Sequence, residues 1–221
     1  MRLSRMKAPT HSREILVTGA SGGIGSAIVE ELQKRDCHVT RTNRNDADMS
    51  SYEDIELFAK NVAKESKIDW VIYAHGFIDA ETDITKQSRE SIVSTFDINT
   101  LSIIYLTQML LPRIGAGIIF ISSTAALSPN GRYAAYSASK AAVNAFAQAL
   151  AKNRLTLTCV TVCPGPTNTA MRKKIASDAA LSQSPEAVAR TVADIVSGKS
   201  NYKSGDIVIV KDGNDSLYRE L

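Results

Sequence analysis

Four glycines fall within the segment Thr18-Gly19-Ala20-Ser21-Gly22-Gly23-Ile24-Gly25, directly after a β-branched run and directly before a helical pattern. Residues 14–18 read as a strand, and Ile24, Ala27, Ile28, Glu31 and Leu32 recur at helical spacing to about Arg35. A strand that turns this tightly into a helix needs residues that tolerate unusual φ and leave room for close backbone approach, which glycine supplies. The rest of the chain must extend this unit, and it repeats the alternation of short β-branched runs and longer amphipathic stretches.

Strands are predicted at residues 38–41, 68–74, 115–122 and 155–163, the last stopped by Pro164-Gly165-Pro166. A final strand is predicted at 206–210. Ser50-Ser51-Tyr52-Glu53 has the form of a capping box, and Ile55, Leu57, Phe58 and Val62 follow as a helical face. Residues 91–111 read as one long helix with Ile92, Phe96, Asn99, Ile103, Leu106 and Leu110 on one line, so the polar Asn99 on that stripe needs a reason. An Ala-rich helix is predicted over 136–153, and Ser184-Pro185 opens another running through Ile195. This is the pattern of an α/β fold with a doubly wound, mostly parallel sheet, a Rossmann fold, in a single domain over residues 13–221 behind a flexible tail, 1–12.

With 221 residues, 44% of them hydrophobic, one sizeable core is expected. The balance of 26 Lys+Arg against 23 Asp+Glu leaves +3, so no global field points to nucleic acid or a membrane surface. No apolar run approaches a membrane span of about 20 residues. Cys37, Cys159 and Cys163 lie in strand-like runs without paired spacing, which points to a reducing, cytoplasmic setting. His11, His38 and His75 are scattered, and no metal is expected.

The glycine turn delivers free N–H groups of a helix N-terminus to one point, which suits a pyrophosphate. Its spacing is T-G-x-x-x-G-x-G rather than the G-x-G-x-x-G dinucleotide fingerprint. At the end of strand two, where an acid would accept from a ribose 2′-OH, the residues are Arg41-Thr42-Asn43-Arg44. A guanidinium there can grip a 2′-phosphate, so NADP(H) is favoured over NAD(H). In Tyr136-Ser137-Ala138-Ser139-Lys140 a phenol and an ammonium stand one helical turn apart. Near neutral pH tyrosine needs a nearby cation to approach acid–base competence. Ser123 follows a strand at the carboxyl edge of the sheet, where open α/β sheets bind ligands.

The glycine turn, Asn99 within Asp97-Ile98-Asn99, Ser123, Tyr136 with Lys140, and Pro164-Gly165 followed by Thr167 and Thr169 together resemble the short-chain dehydrogenase/reductase family over residues 13–210. The resemblance implies a nicotinamide-dependent oxidoreductase that reduces a ketone or aldehyde to an alcohol. It implies Tyr136 as general acid, Lys140 lowering its pKa and binding the nicotinamide ribose, Ser123 orienting the carbonyl, and Asn99 holding a water that links Lys140 to solvent. Cofactor contacts are expected at Gly19, Ser21, Gly23, Ile24, Gly25, Arg41, Arg44 and Asp48, at Ala74, His75 and Gly76, and at Pro164, Gly165, Thr167 and Thr169. Asp48 takes the place of an adenine-contacting acid, and as an acid before Ser50 it also favours a helix start.

Two departures stand out. Tyr73-Ala74-His75-Gly76 replaces the family's Asn-Asn-Ala-Gly or Asn-Ala-Gly, and His75 is read as a neutral residue bracing the backbone. The short path from Arg44 to Asp48 implies the loss of one outer helix. Residues 171–183 occupy the substrate-lid position, with Met171, Ile175 and Leu181 as candidate lining. A close alternative activity is 3-oxoacyl-thioester reduction, for which Arg172-Lys173-Lys174 is the one candidate carrier patch unless it is a solvated face. An alternative of another class is a non-catalytic, dinucleotide-sensing protein. A homodimer or homotetramer is expected, built by helices 91–111 and 136–153.

Overall fold

Successive side chains of a strand point to opposite faces, and in this sheet both faces are apolar. Ile15 and Val17, Trp70 and Ile72, and Ile119 and Ile121 point into one core, while Leu16, Val71 and Tyr73, and Ile118 and Phe120 point into the other. Fully parallel strands clad on both sides read this way. A computed structural model describes residues 12–65, 67–129, 131–153, 156–176 and 182–218. The expected tail, apart from Ser12, and the lid residue Leu181 lie outside the described residues.

The elements run β1 (Glu14–Thr18), α1 (Gly23–Gln33), β2 (His38–Arg41), α2 (Tyr52–Glu65), β3 (Ile68–Tyr73), α3 (Arg89–Phe96), α4 (Ser102–Leu110), β4 (Ile114–Ile121), α5 (Ala134–Asn153), β5 (Thr158–Pro164), α6 (Ala170–Ile175), α7 (Pro185–Ser197), β6 (Ile207–Lys211) and β7 (Asn214–Leu217). The seven-stranded sheet has the order β2-β1-β3-β4-β5-β6-β7, with β7 alone antiparallel. The first core packs under α1 and α7, the second under α2, α4 and α5. This is the single doubly wound α/β domain expected. The full doubly wound order begins 3-2-1-4; here, among the described residues, no strand pairs outside β2 and 43–51 holds turns only, so β2 forms the edge.

Three local readings need correction. The cap of α2 is Ser51, one residue later than the Ser50 box, because Asp48 Oδ1 already takes both the Ser50 amide and its hydroxyl. Ser51 Oγ instead accepts the Asp54 amide at 3.2 Å. The helix expected over 91–111 contains a wide π turn at Asp97–Leu101 between α3 and α4. A wide turn shifts the phase of the preceding segment by about 100°, roughly one residue. Thr95 is therefore fully buried, while Ile92 and Phe96 are only half-buried. The chain does not end its sheet at β6: Asp212 and Gly213, with φ of 52° and 80°, form a two-residue hairpin into β7. Asp-Gly between extended runs is a hairpin signal, and it stood in the sequence unused.

Candidate active site

The carboxyl ends of β1, β3, β4 and β5 converge on two adjoining cavities, of about 370 and 200 Å³, which share Ile24, Ser122, Tyr136, Thr169 and Met171. The larger is built on the glycine turn. Gly19 sits at φ +68°, and a Cβ there would lie 2.6 Å from the backbone of His75; a Cβ on Gly25 would lie 2.1 Å from Gly19 O. The N-cap of α1, Gly22, offers no side chain, and no acid occupies the first turn. The helix therefore presents unclaimed amides and positive dipole to the cavity.

At the far end of this cavity the chain leaves β2 through a turn fixed by its own side chains. Asp46 Oδ2 accepts the Asn43 amide at 2.7 Å and Asn43 Oδ1 accepts the Asn45 amide at 2.8 Å. Arg44 is thereby presented to the cavity, with Asp48 beside it. Bonds from Ser50 hold the Asp48 carboxyl below the usual carboxylate range. Thr42, which the sequence reading passed over, lines the same cavity, and its hydroxyl is buried without a hydrogen-bond partner. Arg41 lines neither cavity: it lies on the exposed edge of β2, on the opposite side of the strand from Thr42. Of the other expected cofactor contacts, Gly19, Ser21, Gly23, Gly25, Ala74, His75, Gly76 and Lys140 line the larger cavity. Pro164, Gly165 and Thr167 line the smaller, and Ile24, Tyr136 and Thr169 line both.

His75 is 8% exposed and its ring is spanned by two hydroxyls. Nε2 lies 2.8 Å from Ser102 Oγ and Nδ1 lies 2.6 Å from Thr18 Oγ1. Ser102 spends its own proton on Ile98 O at 2.7 Å, so Nε2 is assigned as the donor and Nδ1 as the acceptor from Thr18. Burial, helped by the Lys140 charge, pushes the imidazole down to about 3. The neutral ring ties the end of β1 to the start of α4, just after the wide turn. Thr18 and Ser102 were not singled out from sequence; neither carries a signal until β3 and the wide turn are placed side by side.

Asn99 is fully buried and does not line either cavity. Its Oδ1 accepts the Phe77 amide at 2.6 Å, and its Nδ2 donates to Phe77 O at 2.8 Å and to Ser139 Oγ at 3.0 Å. The side chain clamps the loop after β3 to α5, which is why a polar residue belongs on this stripe. Lys140, 3% exposed, donates to Ile121 O at 3.0 Å, and burial pulls its ammonium down to about 8. Burial raises the Tyr136 phenol, and a hydrogen bond with Ser123 opposes that rise. Cys163, beneath the pair, is pushed up to about 11 by burial and stays a neutral thiol.

Among the described residues no group of three His, Cys, Asp or Glu is placed to hold a metal, and no helix is long and apolar enough to cross a membrane. The family model for short chain dehydrogenases matches residues 45–180. The chain is 30% identical over 230 residues to a 3-oxoacyl-[acyl-carrier-protein] reductase of Rickettsia conorii, covering 90% of this chain and 95% of that one. It is 29% identical over 194 residues to a benzil reductase ((S)-benzoin forming) of Saccharomyces cerevisiae, covering 73% and 74%. The crystal structure of a 3-ketoacyl-(acyl-carrier-protein) reductase from Brucella melitensis complexed with NADH superposes with a TM-score of 0.82 at 19% identity, covering 90% of this chain and 96% of that one. The short-chain dehydrogenases are oxidoreductases that bind a nicotinamide dinucleotide, and this chain brings its glycine turn, buried lysine and phenol to one cavity of an open α/β sheet. The chain belongs to the short-chain dehydrogenase family.

Proposed function

We propose that the protein is an NADP(H)-dependent reductase of a ketone or aldehyde, acting in a reducing, cytoplasmic setting. The observation that carries this reading is the position of Tyr136: its side chain belongs to the walls of both cavities, with Ser123 on the smaller side and Lys140 on the larger. The uncapped amides of α1 suit a pyrophosphate, and the orphan Thr42 hydroxyl with Arg44 suits the adenosine end, so the residues fit a dinucleotide. A nicotinamide dinucleotide held there would supply the hydride for the carbonyl carbon. Tyr136 donates its proton to the carbonyl oxygen, and burial keeps the phenol protonated for that task. Ser123 donates to the same oxygen and fixes its direction. Lys140 holds the ribose and keeps positive charge one helical turn from the phenol. Asn99 and His75 keep the loop after β3 and the end of β1 in place beneath them.

The test is a panel of ketones, aldehydes, quinones and acyl thioesters followed by loss of reduced-nicotinamide absorbance. Turnover of the thioesters alone would select the 3-oxoacyl alternative that the Rickettsia relative suggests. Cofactor binding with no turnover on any member would leave the dinucleotide-sensing alternative.

NADPH is expected to exceed NADH in kcat/KM, because the 2′-phosphate adds charge that the Arg44 guanidinium can meet. A charge-assisted hydrogen bond contributes roughly 1.5–3 kcal/mol, so Arg44→Ala should cut the preference by about 10- to 100-fold. Arg41→Ala, on the outer edge, should leave it nearly intact. Equal use of both cofactors by the wild type sinks the assignment.

We further propose a homodimer or homotetramer built by α3 with α4 and by α5. Val93 and Leu101 are 44% and 37% exposed, and Ala138, Ala145 and Ala149 form an exposed small-residue strip on α5. Sedimentation at micromolar concentration should give at least a dimer; a monomer would refute it.

A further inference from the structure

The smaller cavity is the substrate side of the proposed reaction, and residues 166–175 make one wall of it, with Pro166, Thr167, Thr169, Met171 and Ile175 among the lining. Pairing of β5 with β6 ends at Pro164 and Val210, with one further bond from the Gly165 amide to Val210 O at 2.8 Å, so beyond Gly165 the wall must find its hydrogen bonds elsewhere. Gln183 provides them. It stands just before Ser184 and Pro185 open α7, a helix whose apolar face is fixed in the first core. Its amide donates to Pro166 O at 3.0 Å and its carbonyl accepts the Asn168 amide at 2.9 Å, which bridges it to Thr167. The side chain reaches further: Nε2 donates to Val210 O at 2.8 Å and to Thr167 Oγ1 at 3.3 Å, and Oε1 accepts the Gly213 amide of the β6–β7 hairpin at 3.5 Å.

These partners fix the residue type. Val210 O can only accept and the Gly213 amide can only donate, so the carboxamide has one orientation. Thr167, which is buried, spends its own proton on Gly165 O at 2.9 Å and therefore takes one from Gln183. Two donors and an acceptor on one planar head are what glutamine carries; glutamate has the same shape and neither donor. On the cofactor side the wall has no slack, because a Cβ on Gly23 would lie 2.6 Å from Thr169 Cγ2. A wall released at Thr167 is stopped there by the glycine turn, and the room it gains lies on the substrate side.

Resting on the reductase reading above, we propose that Gln183 is a positioning residue for the reduction: through Thr167 it holds the 166–175 wall in place across the cavity from Ser123 and Tyr136, and so sets how tightly the carbonyl substrate is gripped. Gln183 lines neither cavity and acts only through the residues it bonds.

The experiment compares the wild type with Gln183→Met, which keeps the length of the side chain without its bonds, and with Gln183→Glu, which keeps the shape and the acceptor and loses both donors. KM and kcat are measured with NADPH on the member of the ketone and aldehyde panel that the wild type reduces best, and NADPH binding is titrated separately through its fluorescence. Both variants should raise KM about 10-fold, the scale of one or two neutral hydrogen bonds, while kcat and the NADPH dissociation constant stay within about threefold of wild type. A wild-type KM in Gln183→Glu would mean that only the shape of the residue matters and overturns the role. So does a fall of kcat at constant KM that tracks a lower melting temperature in both variants, or a failure of both to fold, since either makes Gln183 a structural residue. Turnover by the wild type with unchanged KM in both variants overturns the role of Gln183 alone, whereas a wild type that reduces no member of the panel overturns the reductase reading and this role with it.

Discussion

Tyr136→Phe is expected to lower kcat by about 10²–10⁴-fold, the usual contribution of a positioned general acid, with NADPH affinity nearly unchanged. The change removes one oxygen and its transferable proton from the shared wall of the two cavities and leaves the ring in place. Ser123 would still polarise the carbonyl, so some turnover remains. Tyr133→Phe is the matched control. Its hydroxyl also borders the smaller cavity, but it donates to Ile175 O and has no lysine one turn away. It should alter KM more than kcat. Equal losses of kcat in the two variants would show that the acid has been misplaced.

The second large effect concerns stability in mild acid. His75 titrates at about 3 in the folded protein and at about 6.5 when unfolded. Between those values the unfolded chain holds a proton that the folded chain refuses, so stability is full above about pH 6.5 and drains as the pH falls. By pH 4 the loss from this one residue should reach roughly 3 kcal/mol. Protonation would also break the acceptor bond from Thr18 and set a cation beside Lys140. His75→Asn keeps a donor and an acceptor but cannot titrate. Urea midpoints for both proteins between pH 7 and pH 4 should therefore diverge, the wild type falling faster. The carboxylates held low, Asp48, Asp79, Asp83 and Glu186, are common to both and cancel in the comparison. Parallel curves would rule out His75 as the source.

What could be read from the chain alone was what local spacing determines. The glycine turn between strand and helix, the Tyr136–Lys140 pair and the β-branched runs each carry their meaning within one helical turn or a few residues. The wide turn at 97–101 was hidden because apolar spacings of three and four residues look the same whether or not one turn is broader. Arg44 could be favoured over Arg41 from its place past the strand, but the turn that presents it is set by side-chain bonds of Asn43 and Asp46 that spacing alone does not show. That Arg172 lines the smaller cavity while Lys173 and Lys174 are exposed could not be read from a helix too short to show a period. His75 was legible as a departure, but its partners come from β1 and from the first residue of α4, separated from it by 57 and 27 positions.

The wide turn also divides one long helix between two masters. The regular α4 answers to the core, with Ile103, Leu106 and Leu110 fully buried. The turn itself answers to the site, since Ile98 O, Asn99 and Thr100 there hold Ser102, the loop after β3 and Ser139 O of α5. A broadened turn holds, in effect, one residue more than a regular helix would at that point. Drift toward a tighter, better-bonded helix would thus be an improvement for the scaffold and a loss for the chemistry, which makes this stretch of backbone, rather than any side chain, the place where selection for activity opposes selection for stability.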